Sequence, residues 1–452
     1  MIRLESIVKS LAELLGIDKA IGFNLARGGW NAFSGFITIY LVARYLDPYM
    51  QGYYYTFYSL VALQVFIEMG LGFALIQFIS HEMAHLSWSE NKTVEGGEDV
   101  KRRLQSLVQF GYSWLGIGGL ILSVTLIPFG LYMFGDGKLT LNGLQDYGYA
   151  WILLVLGTGV SLQITATSIA LEGCGKVADV IFIRLVQSIF STLILWACLS
   201  SGLSLYSLGI SLLAGILCSG YLIYFKHRKF LINLLFSFKS IEKKVDWRRE
   251  LLPFQWRIAL SWVSGYFIFQ AITPILFKYS SPSIAGQFGA SMQFFLLLNA
   301  GALTWISTKM PLFGMLISQK KIDELNKIFF KNLIRSSLIL FGALTFFIIA
   351  YCLMMEKESE ILERFLSPIP LLILAFVCLT NHIVFSMALY LRANKEEPFL
   401  IISIGNALLT IILAFILVPR YGGLGSVLSY AAGSILIGLI GGIYIFNLKK
   451  YE

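Results

Sequence analysis

Long apolar segments dominate the chain, and short polar stretches separate them. Apolar runs of about 20 residues or more recur from end to end, and each is long enough to cross roughly 30 Å of hydrocarbon as a helix. The pattern predicts twelve membrane-spanning helices, six in each half of the chain. The first six are predicted over 22–43, 52–79, 105–134, 148–170, 178–200 and 204–225, and the second six over 252–277, 285–317, 331–354, 367–391, 398–418 and 424–447.

A polar bend that joins two predicted spans occurs twice. The stretch from Arg44 to Gly52 reads RYLDPYMQG, and that from Lys278 to Gly286 reads KYSSPSIAG, so a base, a Tyr, a Pro and a Gly keep their spacing at an offset of 234. Proline breaks a helix and glycine permits a tight re-entry. The repeat predicts that spans one to six and spans seven to twelve are related halves. Both halves keep the same orientation, because six is even.

These features predict an all-α integral membrane protein with about twelve transmembrane helices in two pseudo-symmetric six-helix lobes around a central cavity. We predict an interfacial N-terminal helix over 1–21, an N-lobe over 22–225, a basic cytoplasmic linker over 226–250 and a C-lobe over 251–452. The linker mixes Lys and Arg with apolar residues, which is typical of an amphipathic segment on a membrane surface. Two roles stay open for it: a tether between the lobes, or capture of an anionic lipid head group.

Composition and charge support this architecture. The chain is 57% hydrophobic and 13% charged, which is too apolar for a soluble protein of this length. With a cytoplasmic N-terminus, about 25 of the 35 Lys and Arg fall in cytoplasmic loops and six in outer loops. Both termini are therefore predicted to be cytoplasmic, and the net charge of +9 reflects topology rather than binding of nucleic acid. The five cysteines are odd in number and lack motif spacing, so we interpret them as packing residues.

Basic residues that include Arg27, Arg184, Arg257 and Lys309 fall within predicted spans, where a charge is costly unless it is paired, snorkels to the surface or faces water. Arg27 and Arg257 lie near the cytoplasmic ends of spans one and seven, at nearly equivalent positions of the repeat. Two guanidinium groups at matching depths suit a pyrophosphate, because each can donate two parallel hydrogen bonds. The alternative is that both snorkel to the cytoplasmic head groups. Arg184 and Lys309 are further candidates for the same role.

Glu68 is the acidic candidate, because it lies near the middle of span two. A carboxylate there could carry a proton for ion coupling or pair with a base such as Arg27. The structural alternative is a hydrogen bond beside close-packed Gly70 and Gly72.

The segment from His81 to His85 reads HEMAH, a literal zinc-protease motif. Catalysis would need a third ligand and a protected cleft, yet the motif falls where span two leaves the membrane, so we predict no metal site. No phosphate-binding loop or nucleotide fingerprint is present, and we predict no cofactor.

Four stretches carry a resemblance to a known family. The stretches are the opening bend ARYLDP with Gly52 and Tyr53, the sequence EMGLGFAL from Glu68, the Pro-led segment from Pro311 to Lys331, and PRYGGLG from Pro419. They resemble the polysaccharide-exporter branch of the multidrug/oligosaccharidyl-lipid/polysaccharide (MOP) flippase superfamily, the Wzx-type flippases. Asp47 stands where that family usually has Gly, and Gln77 stands where it often has Arg.

The resemblance implies a MATE-like fold and a flippase that moves polyprenyl-pyrophosphate-linked oligosaccharide to the outer leaflet by alternating access, for O-antigen, capsule or exopolysaccharide synthesis. It implies a bacterial inner membrane, no covalent chemistry, a polysaccharide polymerase as a further partner, and a proton or sodium ion as coupling cation. A MATE-like small-molecule or drug antiporter is the alternative, although several in-span bases against one deep acid favour an anionic cargo. An intramembrane metalloprotease using His81, Glu82 and His85 is the alternative from the enzyme class.

Overall fold

The structure, a computed structural model, describes residues 19–89, 93–135, 147–235, 246–355, 361–393 and 399–450. Helices carry almost all of these residues. The strands described there form one antiparallel hairpin of β1 (Leu86–Trp88) and β2 (Val94–Gly96), which follows the second span. The interfacial helix predicted over 1–21 falls outside the described residues except for its last three.

The helices follow the predicted order of spans. Those of the first half are α1 (Lys19–Tyr45), α2 (Pro48–Val61), α3 (Val65–Glu68), α4 (Leu71–Met83), α5 (Glu98–Phe134), α6 (Tyr149–Gly173), α7 (Val177–Ser200) and α8 (Tyr206–Leu235). Those of the second half are α9 (Leu252–Phe269), α10 (Ile272–Tyr279), α11 (Pro282–Ser307), α12 (Met310–Ser318), α13 (Ile322–Met355), α14 (Pro368–Arg392), α15 (Leu400–Ala432) and α16 (Ile440–Lys449). Short 3₁₀-helical segments cover Ala62–Gln64 and Leu362–Arg364, and short π-helical segments cover Trp247–Leu251 and Gly433–Leu439.

Ten helical segments among the described residues are long and apolar enough to cross a membrane. The last, Leu400–Lys449, has 50 residues, and about 75 Å of helix is too long for a single crossing. It bends at Gly422, whose φ of 53° and ψ of −124° are not helical, so it forms two spans. Helix α1 has 27 residues, or about 40 Å, and is long enough for a further span. The described residues are thus those of an all-α membrane protein, and they accommodate the twelve spans predicted.

Contacts divide the chain into two compact units, Met1–Ser34 with Gln64–Ala259, and Gly35–Leu63 with Leu260–Glu452. The first unit has an aliphatic core from α4, α5 and α6 that includes Leu71 and Leu104. The core of the second unit contains a cluster of aromatic rings in which Phe329, Tyr390 and Phe446 contact one another. The lobe and linker boundaries drawn from the sequence repeat remain predictions.

The helix that follows the repeated bend begins in the same way in both copies. Asp47 Oδ1 accepts a hydrogen bond from the Met50 amide at 2.8 Å, and Ser281 Oγ accepts one from the Ile284 amide at 3.2 Å. Both residues are N-caps followed directly by proline, which lacks the amide hydrogen that the first turn leaves unpaired. Asp47, the departure from the family pattern, is therefore a good capping residue.

Within the second unit, the two bends pack directly against each other through their glycines. A Cβ atom on Gly52 would overlap the carbonyl of Pro282, and a Cβ on Gly286 would lie 2.8 Å from the Gly52 nitrogen. The neighbouring Gln51 donates to the Gly286 carbonyl at 3.1 Å and to the Arg364 carbonyl at 2.9 Å. The repeated glycines lie within helices and are thus required for close backbone approach.

The second span is interrupted, so a continuous helix over 52–79 is wrong. A 3₁₀ turn follows α2, and Met69 and Gly70 adopt left-handed backbone with φ of 39° and 67°. A carbonyl freed inside a membrane must find a partner. The indole of Trp114 donates to the Ile67 carbonyl at 2.8 Å, and the amide of Gln255 donates to the Met69 carbonyl at 3.1 Å. Hydropathy does not reveal such a break, because its partners lie far away in sequence.

We predict that Gly286→Ala lowers the free energy of unfolding by about 1–3 kcal/mol, because the added methyl group meets backbone that cannot rotate away. Gly301→Ala is the matched control, since it lies on the same helix and its Cβ meets nothing within 4 Å. Thermal unfolding of both variants, purified in detergent, measures the difference. Equal melting temperatures for the two variants would contradict the close approach of the bends.

Candidate functional site

Helices α1 and α7 lie side by side in the first unit, and each carries one of the in-span arginines. The rings of Phe23 and Phe182 lie 5.1 Å apart, and Ser188 Oγ donates to Asn31 Oδ1 at 2.6 Å. Arg27 and Arg184 each precede one partner of that hydrogen bond by four residues, so each lies on the same helix face one turn earlier. The charges of the two guanidinium groups are accordingly close enough to interact with each other.

Arg184 has an acidic partner on the preceding helix. Its Nη1 atom lies 2.7 Å from Oε1 of Glu172, and the side chains of Arg184 and Glu172 are 33% and 12% exposed. Arg27 is also within electrostatic reach of this carboxylate. The carboxylate is therefore mostly withdrawn from solvent, whereas a third of the guanidinium group's side chain remains accessible.

A short turn brings Glu172 and Arg184 together. Gly175 adopts a φ of +82°, the Gly175 amide donates to the Glu172 carbonyl at 3.0 Å, and the Lys176 amide donates to the Leu171 carbonyl at 2.9 Å. This left-handed glycine ends α6 and reverses the chain into α7. Glu172 in the last turn of α6 then faces Arg184, which lies two turns into α7.

Glu68 completes the group of charges in this unit. It is half-buried, lies directly before the left-handed Met69, and has Arg184 within electrostatic reach. We call Arg27, Arg184, Glu68 and Glu172 the arginine cluster; it contains two cations and two carboxylates.

Arg257 and Lys309 have different surroundings. Arg257 is exposed, and its guanidinium group lies 5.4 Å from the ring centre of the adjacent Trp256. Lys309 is exposed between α11 and α12 in the second unit. The pairing of Arg27 with Arg257 across the two halves stays a prediction.

The protease-like motif has a structural partner. Arg103 donates from Nε to Glu82 at 2.7 Å and from Nη2 to Glu250 at 2.5 Å. The Glu82 carboxylate is therefore engaged by a cation, while His81 and His85 are exposed. In the part of the chain that the structure describes, no group of three His, Cys, Asp or Glu residues could hold a metal ion.

A different histidine is built into the core of the second unit. His382 is fully buried between Asn299 and Ser336. The Asn299 amide oxygen can only accept, so His382 Nδ1 donates to it at 3.1 Å, and Nε2 lies 2.9 Å from the Ser336 hydroxyl oxygen. These contacts link three helices.

Sequence reasoning missed Glu172, Asn31 and Ser188. Glu172 carries a signal, because it is a carboxylate in the short stretch between the predicted end of span four at 170 and the predicted start of span five at 178. Its partner lies twelve residues away across a turn, which periodicity along one helix cannot reveal. The contact between Asn31 and Ser188 depends on the packing of α1 against α7.

Solved structures with this fold are transporters of the MOP superfamily. An inward-facing multidrug resistance MATE family transporter matches with a TM-score of 0.67 at 12% identity, over 96% of this chain and 98% of that chain. The lipid II flippase MurJ, in an inward closed conformation, matches with 0.68 at 15% identity, over 95% and 89%. The MATE multidrug transporter DinF-BH matches with 0.61 at 13% identity, over 96% of each. At these identities the likeness establishes the fold.

No curated protein matches the sequence. The family described as "Polysaccharide biosynthesis protein" matches residues 19–317, about two thirds of the chain, and covers all four members of the arginine cluster. The chain therefore belongs to the polysaccharide biosynthesis protein family.

Proposed function

We propose that this protein is a flippase that moves polyprenyl-pyrophosphate-linked oligosaccharide from the cytoplasmic to the outer leaflet for surface polysaccharide synthesis. Membership of the polysaccharide biosynthesis family and a fold like that of a lipid II flippase support it. The observation that carries it is the approach of Arg27 and Arg184, two permanently charged groups on neighbouring spans. Their chemistry suits a pyrophosphate, the group that joins glycan to lipid.

The proposed transport needs binding and release without covalent chemistry. Two guanidinium groups supply parallel hydrogen-bond donors and positive charge to the oxygens of a pyrophosphate. The lipid tail stays in the bilayer, and alternating access exposes the head group to either side. Inner-membrane location, cytoplasmic termini and a polysaccharide polymerase as partner belong to this proposal.

A MATE-like antiporter for small organic cations is the second candidate. It would need carboxylates that attract a cation, and the first unit does contain Glu68 and Glu172. In the arginine cluster, however, each carboxylate has an arginine within electrostatic reach. That pairing weakens the attraction that either carboxylate offers to a cation.

We predict that Arg27→Ala and Arg184→Ala each reduce export of lipid-linked glycan at least tenfold, because either change removes half of the positive charge offered to the pyrophosphate. The measurement is the distribution of lipid-linked glycan between the two leaflets. It is made in cells that are depleted of the wild-type protein and express each variant at normal membrane levels. Arg102→Ala is the control, because Arg102 forms a 3.6 Å ion pair with Glu98 one turn earlier on the same helix. Arg257→Ala in the same assay tests the pairing predicted from the repeat.

Full rescue by both Arg27→Ala and Arg184→Ala would remove the arginine cluster from the transport path. If depletion of the protein leaves the amount of lipid-linked glycan in both leaflets unchanged, the flippase proposal fails and the antiporter takes its place.

We further predict that Glu68→Gln abolishes coupling to a cation gradient. Glu68 is the in-span acid predicted from the sequence, and its amide analogue can neither bind a proton nor balance a sodium ion. Flipping by wild type in proteoliposomes should accelerate under an imposed proton or sodium gradient, whereas the variant should respond to neither. Equal acceleration of variant and wild type would exclude Glu68 as the coupling residue.

A further inference from the structure

The arginine cluster contains an anion of its own at the position where an anionic cargo would bind. The Glu172 carboxylate contacts Arg184 at 2.7 Å and lies within electrostatic reach of Arg27. Two arginines and two glutamates leave the cluster neutral overall. A pyrophosphate that approached the arginines would therefore meet two carboxylates as well.

The surroundings of Glu172 make this carboxylate dependent on its arginine. It lies in the last turn of α6, where helix carbonyls point outward and the helix dipole disfavours a negative charge. The side chain is only 12% exposed, so water compensates little of that cost. An apolar residue would be the simpler choice for this position if it served packing alone.

Arg184 in turn has capacity beyond its pair with Glu172. A guanidinium group has five N–H donors, and the ion pair uses Nη1. One third of the Arg184 side chain is exposed, so the pair is not sealed from its surroundings.

We infer that Glu172 is a resident counter-ion that the pyrophosphate of the cargo displaces from Arg184. This inference rests on the proposed function and assigns Glu172 as a positioning residue that acts through Arg184. Before cargo binds, Glu172 holds the guanidinium group in place and neutralises it. During binding, the cargo exchanges one anion for another, which limits its affinity and allows its release on the other side.

The inference predicts an effect opposite in sign to that of a structural salt bridge. Glu172→Gln removes the competing charge and keeps the side-chain shape, so inorganic pyrophosphate should bind about tenfold more tightly. Glycan export should fall, because cargo held more tightly is released more slowly. Loss of a merely structural ion pair would weaken binding or leave it unchanged.

The experiment is titration of the purified full-length protein in nanodiscs with inorganic pyrophosphate at constant ionic strength. Glu172→Asp keeps the charge and should bind as wild type does. Glu82→Gln is the matched control, because Glu82 forms an ion pair of the same 2.7 Å length with Arg103 and is also mostly buried, at 17% exposed. It should leave the affinity for pyrophosphate unchanged.

Tighter binding by Glu172→Gln, with Glu172→Asp and Glu82→Gln like wild type, supports the exchange. Measurable binding by Glu172→Gln supports the exchange also if the wild type binds too weakly to measure. Unchanged, weaker or undetectable binding by Glu172→Gln overturns the inference, and so does equal tightening by Glu172→Asp. The leaflet assay on the same variants separates the two proposals: a wild type that exports no glycan refutes the flippase, whatever the titration shows.

Discussion

The interior of a bilayer offers no hydrogen-bonding partner to a backbone, and this constraint decides where the helices can be interrupted. At the break in the second span, Trp114 donates a hydrogen bond to the carbonyl of Ile67, and Gln255 donates one to the carbonyl of Met69. At the repeated bend, Gln51 donates a hydrogen bond to the carbonyl of Gly286. At these two places, long polar or aromatic side chains from other parts of the chain thus satisfy backbone carbonyls.

The interior of a bilayer also has a low dielectric constant, which makes charges in the spans costly. A carboxylate near the end of a helix and a guanidinium group on the next helix are tolerable because they meet at 2.7 Å. Glu68 lies directly before the left-handed residues of the broken span, so the interruption and the arginine cluster adjoin each other in the first unit. Broken helices beside charged groups are typical of binding sites in membrane transporters.

Particular residues show how far the sequence could predict this structure. Proline, glycine and a capping side chain made both repeated bends recognisable, and the packing of Gly52 against Gly286 agrees with their equivalence. Arg27 and Arg184 were candidates because any base within a span is unusual. The continuous second span was wrong, since the apolar character on both sides of Met69 is the same and the residues that stabilise the break lie 47 and 186 positions from their partners.

By itself the sequence determined the number and order of the spans, the two bends and the residues that carry charge into the membrane. Hydropathy, proline and glycine act locally, so their effects can be predicted without a fold. Only the tertiary structure decided which charges meet. Glu172 reaches Arg184 because Gly175 adopts left-handed backbone, and Arg27 joins them because α1 lies along α7. These contacts depend on how helices are oriented in space, which no pattern along one segment specifies.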